Sequence, residues 1–258
     1  MVSTVAFCPS PPLLVPELAA GAAGELDPLR AACREAVRRL LAGRPGEVIV
    51  IGTGSGGGRF PPGTTGTLAG YGVPVTATLP GVPPLPGALP AGPLPLPGPG
   101  APGAVAPGPG ALPGPGAPGA VAPGPLPLPL TLGAWLLSGA GVPCRGVAVD
   151  GDTPALPDAQ AYLVVGDGSA RRTERSPGYV DPRAEPFDAV VAAALATGDA
   201  GGLRDLDPAL GADLLAAGVP AWRAVGRALA GRRYEADLLY DEAPYGVGYF
   251  VAVWVEGE

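Results

Sequence analysis

Short apolar segments that alternate with helical stretches place the strongest limit on what this chain can fold into. Residues 47–51 (EVIVI) are apolar after the first position, as in a strand that is buried on both faces of a parallel sheet. Residues 2–8, 145–150 and 161–165 have the same character. The alternation predicts one α/β domain over residues 1–258 with three layers, in which helices cover both faces of a mixed, mostly parallel sheet.

Helical periodicity is clearest over residues 27–42. Leu29, Cys33 and Val37 recur at helical spacing, so we expect Cys33 in the core rather than as a reactive thiol. Asp27 is the predicted N-cap. Further helices are predicted over 131–139, 186–197, from Asp207-Pro208 onward and over 219–230, and closing strands over 235–240 and 247–255.

Residues 82–129 differ from the rest because they are almost only Pro, Gly, Ala and Leu. The string LPGPGAPGAVAPGP occurs twice, at 96–109 and at 112–125. This composition predicts a disordered, partly polyproline-like insertion in a surface loop. It favours a linker, although its PxxP spacings are also found in ligands of SH3-like domains.

The chain contains no histidine, and all 16 of its basic residues are arginine. Ser-His-Asp and Cys-His machinery, imidazole metal ligands and Schiff-base lysines are therefore excluded within this chain. The net charge of −7 argues against a nucleic-acid partner, since such proteins carry a basic surface.

Cysteine usage and hydropathy indicate the compartment that we expect. Cys8, Cys33 and Cys144 are widely spaced and form no CxxC pair, which favours a reducing cytoplasm over a disulfide framework. The amino-terminal segment lacks the basic region of a signal peptide. No apolar run reaches the length of about 18 residues that a membrane span needs, so we predict a cytoplasmic protein without a membrane partner.

Four loops follow predicted strands, and ligands of such sheets bind beyond the carboxyl ends of the strands. The loops comprise residues 8–12, 52–58, 166–173 and 241–246. Asp167 is a candidate acid or base, although an Asp in a Gly-Asp-Gly turn can instead cap its own backbone. The candidate ligand-binding residues are Ser10, Gly54, Ser55, Ser169, Arg171, Arg172 and Tyr245, with the two arginines suited to an anionic group.

Four motifs carry a resemblance to a known family. They read CPSPPLLVPEL from Cys8, EVIVIGTGSGG from Glu47, YLVVGDGSARRTE from Tyr162 and LLYDEAPYGVGYFVAVW from Leu238. In this order they resemble class III extradiol ring-cleavage dioxygenases of the LigB-like superfamily, which is related to Memo-like proteins. The resemblance covers residues 1–80 and 131–258 and implies a LigB-like α/β fold.

The family's iron ligands are missing from these motifs. Class III extradiol enzymes hold Fe(II) with two histidines and a carboxylate, and they use a further histidine as acid or base. Here Ser10 stands where the first ligand is usual, and Ser169 with Ala170 replaces Ser-His. Glu242 is the candidate carboxylate, as a vestigial ligand. Fe(II) is thus implied only by the resemblance, and we expect no cofactor.

Three functions compete. The first is a LigB-like pseudoenzyme without ring cleavage, which binds a small anionic or aromatic ligand or a partner subunit. The alternative is a dioxygenase or other oxidoreductase whose metal site is atypical or completed by a partner. The third is a dinucleotide binder, because residues 52–57 fit GxGxxG, but residues 59–63 break any following helix and no acidic residue lies between Glu47 and Asp150.

Overall fold

A seven-stranded sheet forms the centre of the computed structural model, which describes residues 2–19, 24–81, 124–151 and 155–257. Its strands lie in the order β3-β6-β2-β7-β1-β9-β8, and β4 pairs with β5 in a separate two-stranded sheet. The strands are β1 (Thr4–Cys8), β2 (Val48–Thr53), β3 (Gly58–Phe60), β4 (Thr65–Thr67), β5 (Thr76–Thr78), β6 (Cys144–Val149), β7 (Ala161–Val165), β8 (Tyr234–Glu242) and β9 (Tyr249–Glu256).

The sheet is mixed, and its four central strands run parallel. β6, β2, β7 and β1 form the parallel part, while β9 pairs antiparallel with β1, β8 with β9 and β3 with β6. The central strands are almost wholly apolar because both of their faces are covered. This confirms the predicted α/β class with a mostly parallel mixed sheet.

Helices pack against both faces of the sheet. Alternate strand residues point to opposite faces, so Val50 belongs to the apolar cluster that includes α2 and α3, while Ile49 and Ile51 belong to the cluster that includes α4, α5 and α7. The helices are α1 (Pro16–Ala19), α2 (Asp27–Ala42), α3 (Leu128–Leu136), α4 (Ala184–Thr197), α5 (Ala200–Arg204), α6 (Pro208–Asp213) and α7 (Val219–Ala228). In the part of the chain that the structure describes, none of them is long and apolar enough to cross a membrane.

Local sequence patterns predicted most of the helices and strands, but they did not predict every helix end correctly. α2 and β7 have the predicted bounds, and Asp207 caps α6 by accepting from the backbone N–H groups of Ala209 and Leu210. Asp27, however, is the first residue of α2 and caps nothing. Its carboxylate instead binds the buried Arg30, at 3.2 Å, because an arginine removed from water needs a charged partner.

Several short elements were not predicted. β3, β4 and β5 have only three residues each, too few for an alternation to be recognised. α5 contains two glycines, which are poor helix formers, and begins only because Asp199 accepts from the backbone N–H of Gly202 at 2.9 Å. β3 follows the glycine-rich loop where a dinucleotide-binding fold would place a helix, which agrees with the exclusion of that function.

The predicted insertion extends too far toward the carboxyl terminus. Residues 82–123 lie outside the described residues, but Leu126 is buried and its N–H donates to the carbonyl of Thr65 at 3.2 Å. α3 begins at Leu128, three residues before its predicted start, because Pro is favoured in the first turn of a helix. The final residues assigned to the insertion therefore belong to the packed domain.

This boundary can be tested by two deletions. Replacing residues 84–121 with a Gly/Ser linker of about eight residues should change the melting temperature by no more than about 3 °C, because loop closure depends weakly on length. Extending the deletion through Pro129 should lower it by about 8 °C or more, because buried Leu126 is lost. Equal melting temperatures, measured by circular dichroism, would show that residues 124–129 do not stabilise the fold.

Candidate functional site

The connections from two neighbouring strands diverge at the carboxyl edge of the sheet. β1 and β7 pair directly, yet the chain leaves β1 for α2 on one face and leaves β7 for α4 on the other. Such a divergence opens a crevice in which α/β proteins bind their ligands. Ser10 and Asp167, both predicted as site residues, follow these two strands.

Ser10 and Asp167 join across this crevice. The backbone N–H of Ser10 donates to Oδ1 of Asp167 at 2.6 Å, and its hydroxyl donates to Oδ2 at 3.1 Å. Ser10 is buried and Asp167 is partly exposed. Burial raises the pKa of Asp167 to about 6, against the effect of the bonds from Ser10. The carboxylate thus binds the loop after β1 rather than its own turn.

The segment between α6 and α7 closes the crevice from one side. The N–H of Gly218 donates to the carbonyl of Asp167 at 2.8 Å. A Cβ at Gly166 would lie 2.5 Å from the Cα of Gly218, so this approach of two backbones requires glycine at position 166. The sequence showed a glycine there but not what lies against it.

Two further buried groups lie near this edge, Cys8 at the end of β1 and Tyr249 at the start of β9. A hydrogen bond with the thiol of Cys33, together with burial, raises the pKa of Cys8 well above its usual range. Both thiols are buried, as expected for core residues. Burial and the nearby charge of Asp167 likewise raise the pKa of Tyr249.

Asp188 organises the loop after β7, and the sequence analysis missed it. This α4 residue is 1% exposed. Its carboxylate accepts from the N–H of Ser169 at 2.8 Å, from the Ser169 hydroxyl at 2.7 Å and from Arg172 at 3.2 Å. Burial raises its pKa, while Ser169 and Arg172 act in the opposite direction. The sequence feature that could have identified Asp188 is an acidic residue placed between Phe187 and Val191, on the predicted buried face of a helix.

The remaining predicted ligand residues are dispersed. Arg171 has a buried Nε without a hydrogen-bond partner in the described part of the chain. Gly54 packs against Pro127, and Ser55 is exposed. The hydroxyl of Tyr245 donates to Glu25 at 2.9 Å.

Glu242 is exposed at the last position of β8 rather than in the loop where the sequence placed it. Its carboxylate accepts from the hydroxyl of Tyr240 at 3.2 Å. Over the described ranges, no three Cys, Asp or Glu side chains come close enough together to hold a metal ion. The donors at the motif positions of Ser10 and Ser169 are hydroxyls that bond to Asp167 and Asp188, so they do not fit the iron site that the resemblance implies.

A cavity of about 630 Å³ lies beside the α6–α7 connection, whose Gly218 bonds to Asp167; neither Ser10 nor Asp167 lines this cavity, and the sequence analysis did not predict it. Thr53 at the end of β2 and Gly151 after β6 form its sheet side. α6, α7 and their connection supply the rest, which is mostly apolar and includes Arg223. The hydroxyl of Thr53 donates to the carbonyl of Ala217 at 2.6 Å and so holds this connection to the sheet.

Comparison with known proteins adds no family to this geometry: no protein-family model matches the chain, and no curated protein matches it significantly. The LigB-like resemblance consequently depends on the four sequence motifs and on where their residues lie.

Asp188 and Glu185 provide a matched pair of acidic partners of Arg172. We expect Asp188→Ala to lower the free energy of unfolding by about 3 kcal/mol, because it leaves Ser169 and Arg172 without their acceptor. Glu185 lies 3.7 Å from Arg172 and is exposed, so Glu185→Ala should cost no more than about 1 kcal/mol. Urea denaturation measures both, and equal losses would contradict the central role of Asp188.

Asp167 should make stability depend on pH. Its pKa is raised from 3.8 to about 6, so the folded protein holds this proton more tightly than the unfolded chain. Its contribution is complete below about pH 4 and is lost as the pH rises through about 6. Relative to wild type, Asp167→Asn should therefore gain about 2–3 kcal/mol between about pH 4 and pH 7. Urea titrations at each pH test this, with exposed Glu235→Gln as the control, and parallel curves for wild type and Asp167→Asn would refute it.

Proposed function

We propose that this chain is a LigB-like domain that binds a small aromatic or apolar molecule beside the crevice and does not catalyse iron-dependent ring cleavage. The observation that carries the proposal is the pairing of Ser10 with Asp167 where the connections diverge, next to a cavity of about 630 Å³. Polar groups at the motif positions bind each other, and the adjoining space is mainly apolar.

The arrangement of the motifs supports the LigB-like part of the proposal. Helices pack on both faces of the mixed sheet, which supports the three-layer arrangement that the resemblance implies. Three of the motifs meet at one edge: Ser10 binds Asp167, and the N–H of Gly168 donates to the carbonyl of Gly248 at 2.8 Å. The remaining motif ends at the same edge, where Thr53 reaches the α6–α7 connection.

The chemistry of the donors supports the non-catalytic part. Ring cleavage by the family's route needs Fe(II) with open coordination positions, held by imidazoles and a carboxylate. This chain has no imidazole, and the carboxylate of Glu242 lies exposed beside Tyr240. Asp167 and Asp188 accept hydrogen bonds from Ser10 and Ser169, so both carboxylates are already engaged within the protein.

The cavity supports the binding part. Its volume lies within the range of roughly 300–1,000 Å³ that is usual for small-molecule sites. Pro208, Leu215 and Val219 provide an apolar surface, and Arg223 provides a cation that can meet a carboxylate or a ring face. Arg172, which the sequence suggested for this role, is bound to Asp188.

A second candidate function is a metal-free enzyme in which Asp167 transfers a proton. The raised pKa of about 6 favours it, because a group that titrates near neutrality can both accept and release a proton at physiological pH. In this case the carboxyl of Asp167 would act on a substrate in the crevice, with Ser10 orienting it.

Two variants of α6 separate binding in the cavity from non-specific binding. Ala212 lines the cavity and Ala209 does not, although both are exposed on the same helix. Fluorescence titration with anilinonaphthalene sulfonate should show saturable binding that Ala212→Phe weakens at least about tenfold, since the ring occupies the space. Ala209→Phe should bind like wild type. Equal binding by both variants would contradict a ligand site here.

Activity is tested on the same protein. After anaerobic loading with Fe(II) and desalting, we expect no stoichiometric iron and no oxygen uptake with protocatechuate, gallate or catechol. Stoichiometric iron with turnover that is lost in Glu242→Ala would establish the atypical dioxygenase instead. Turnover without iron that is lost in Asp167→Asn would favour the second candidate.

A further inference from the structure

A second cavity, of about 440 Å³, lies at the opposite end of the sheet. Val2, which precedes β1, and Tyr162, the second residue of β7, line it. The cavity therefore faces the amino ends of the parallel strands. The last turn of α7 and the following loop contribute Arg227 and Arg232. Tyr162, the first residue of the third motif, lines it, but none of the candidate ligand-binding residues does, so its function is separate from that of the crevice.

Over the described ranges, each of these two arginines has one buried guanidinium nitrogen without a hydrogen-bond partner. In the described part of the chain, Nη2 of Arg227 and Nη1 of Arg232 have no hydrogen-bond partner. Glu256 lies 3.7 Å from Nη1 of Arg232, which is too far for a hydrogen bond. A guanidinium nitrogen that is removed from water without an acceptor destabilises the protein. Two such nitrogens beside one cavity indicate that their acceptors come from outside the described residues.

The other lining groups do not neutralise this pair. Asp158 also lines the cavity, but among the ion pairs of the described residues none joins it to Arg227 or Arg232. The hydroxyl of Tyr162 donates to the carbonyl of Pro157 at 2.8 Å and so is already engaged. Leu156 contributes an apolar wall.

We propose that this cavity binds a small molecule that has an apolar body and one anionic group, a carboxylate or a phosphate. Arg227 and Arg232 would hold the anionic group, because guanidinium groups pair well with planar or tetrahedral oxyanions. The apolar wall, formed by Leu156 and the α7 residues Ala224 and Ala228, would hold the body. The unpaired nitrogens are covered by protein, so each side chain would have to turn toward the cavity on binding, and Arg232 would then leave its ion pair with Glu256.

Calorimetric titration of the full chain with benzoate and with phenyl phosphate tests the proposal. We expect saturable binding of at least one probe, which identifies the anionic group, and weaker binding of inorganic phosphate, which lacks the apolar body. Arg227→Gln and Arg232→Gln should each weaken binding about tenfold or more. Arg233→Gln, the same change at an exposed neighbour, should bind within about twofold of wild type. Ala212→Phe should also bind normally, which assigns the heat to this cavity rather than to the first one.

Three results would overturn the proposal. They are the absence of saturable binding up to about 10 mM of either probe, equal weakening by Arg233→Gln, and binding of neutral benzamide as tight as that of benzoate. The melting temperature of Arg227→Met separates recognition from structure. If Arg227 serves a ligand, this variant loses binding but melts no lower than wild type, because it removes an unpaired buried nitrogen. A lower melting temperature would show that Arg227 stabilises the fold instead of serving to bind a ligand.

Discussion

The buried carboxylate of Asp188 holds together three parts of the carboxyl edge. It belongs to α4, accepts two hydrogen bonds from Ser169 in the loop after β7 and binds Arg172 farther along that loop. A Cβ at Gly248, in the turn between β8 and β9, would lie 2.5 Å from Oδ2 of Asp188, so that turn also packs directly on the carboxylate. The positions of Asp167 and of the crevice depend on this arrangement.

Hydrogen bonds within the protein take the place that metal coordination has in the family that the motifs resemble. Ser10 bonds to Asp167 and Ser169 bonds to Asp188, so each hydroxyl at a motif position has a carboxylate as its partner. A buried polar group is stable only when it is paired. Pairs of this kind stabilise the carboxyl edge of the sheet.

Much of the fold could be predicted because its signals are local. The apolar strand β7 and the periodic helix α2 have the bounds that pattern alone indicated. The site was only partly predictable. Loop positions follow from strand order, which located Ser10 and Asp167, but the partner of each side chain depends on contacts between distant segments. Asp188 was missed because it is distant in the sequence from every motif, and the first cavity was missed because α6 and α7 form it by packing.

Two glycines at this edge differ in how they limit the sequences that can adopt the fold. A Cβ at position 166 would meet only backbone atoms of Gly218, so no second substitution at 218 can make room for it. A Cβ at Gly211 would meet the side chain of Val219, the closest atom at 2.8 Å, and a smaller residue at 219 would relieve that clash. A larger residue at 211 can therefore be accommodated by a smaller one at 219, whereas no side-chain change can make room for a Cβ at 166.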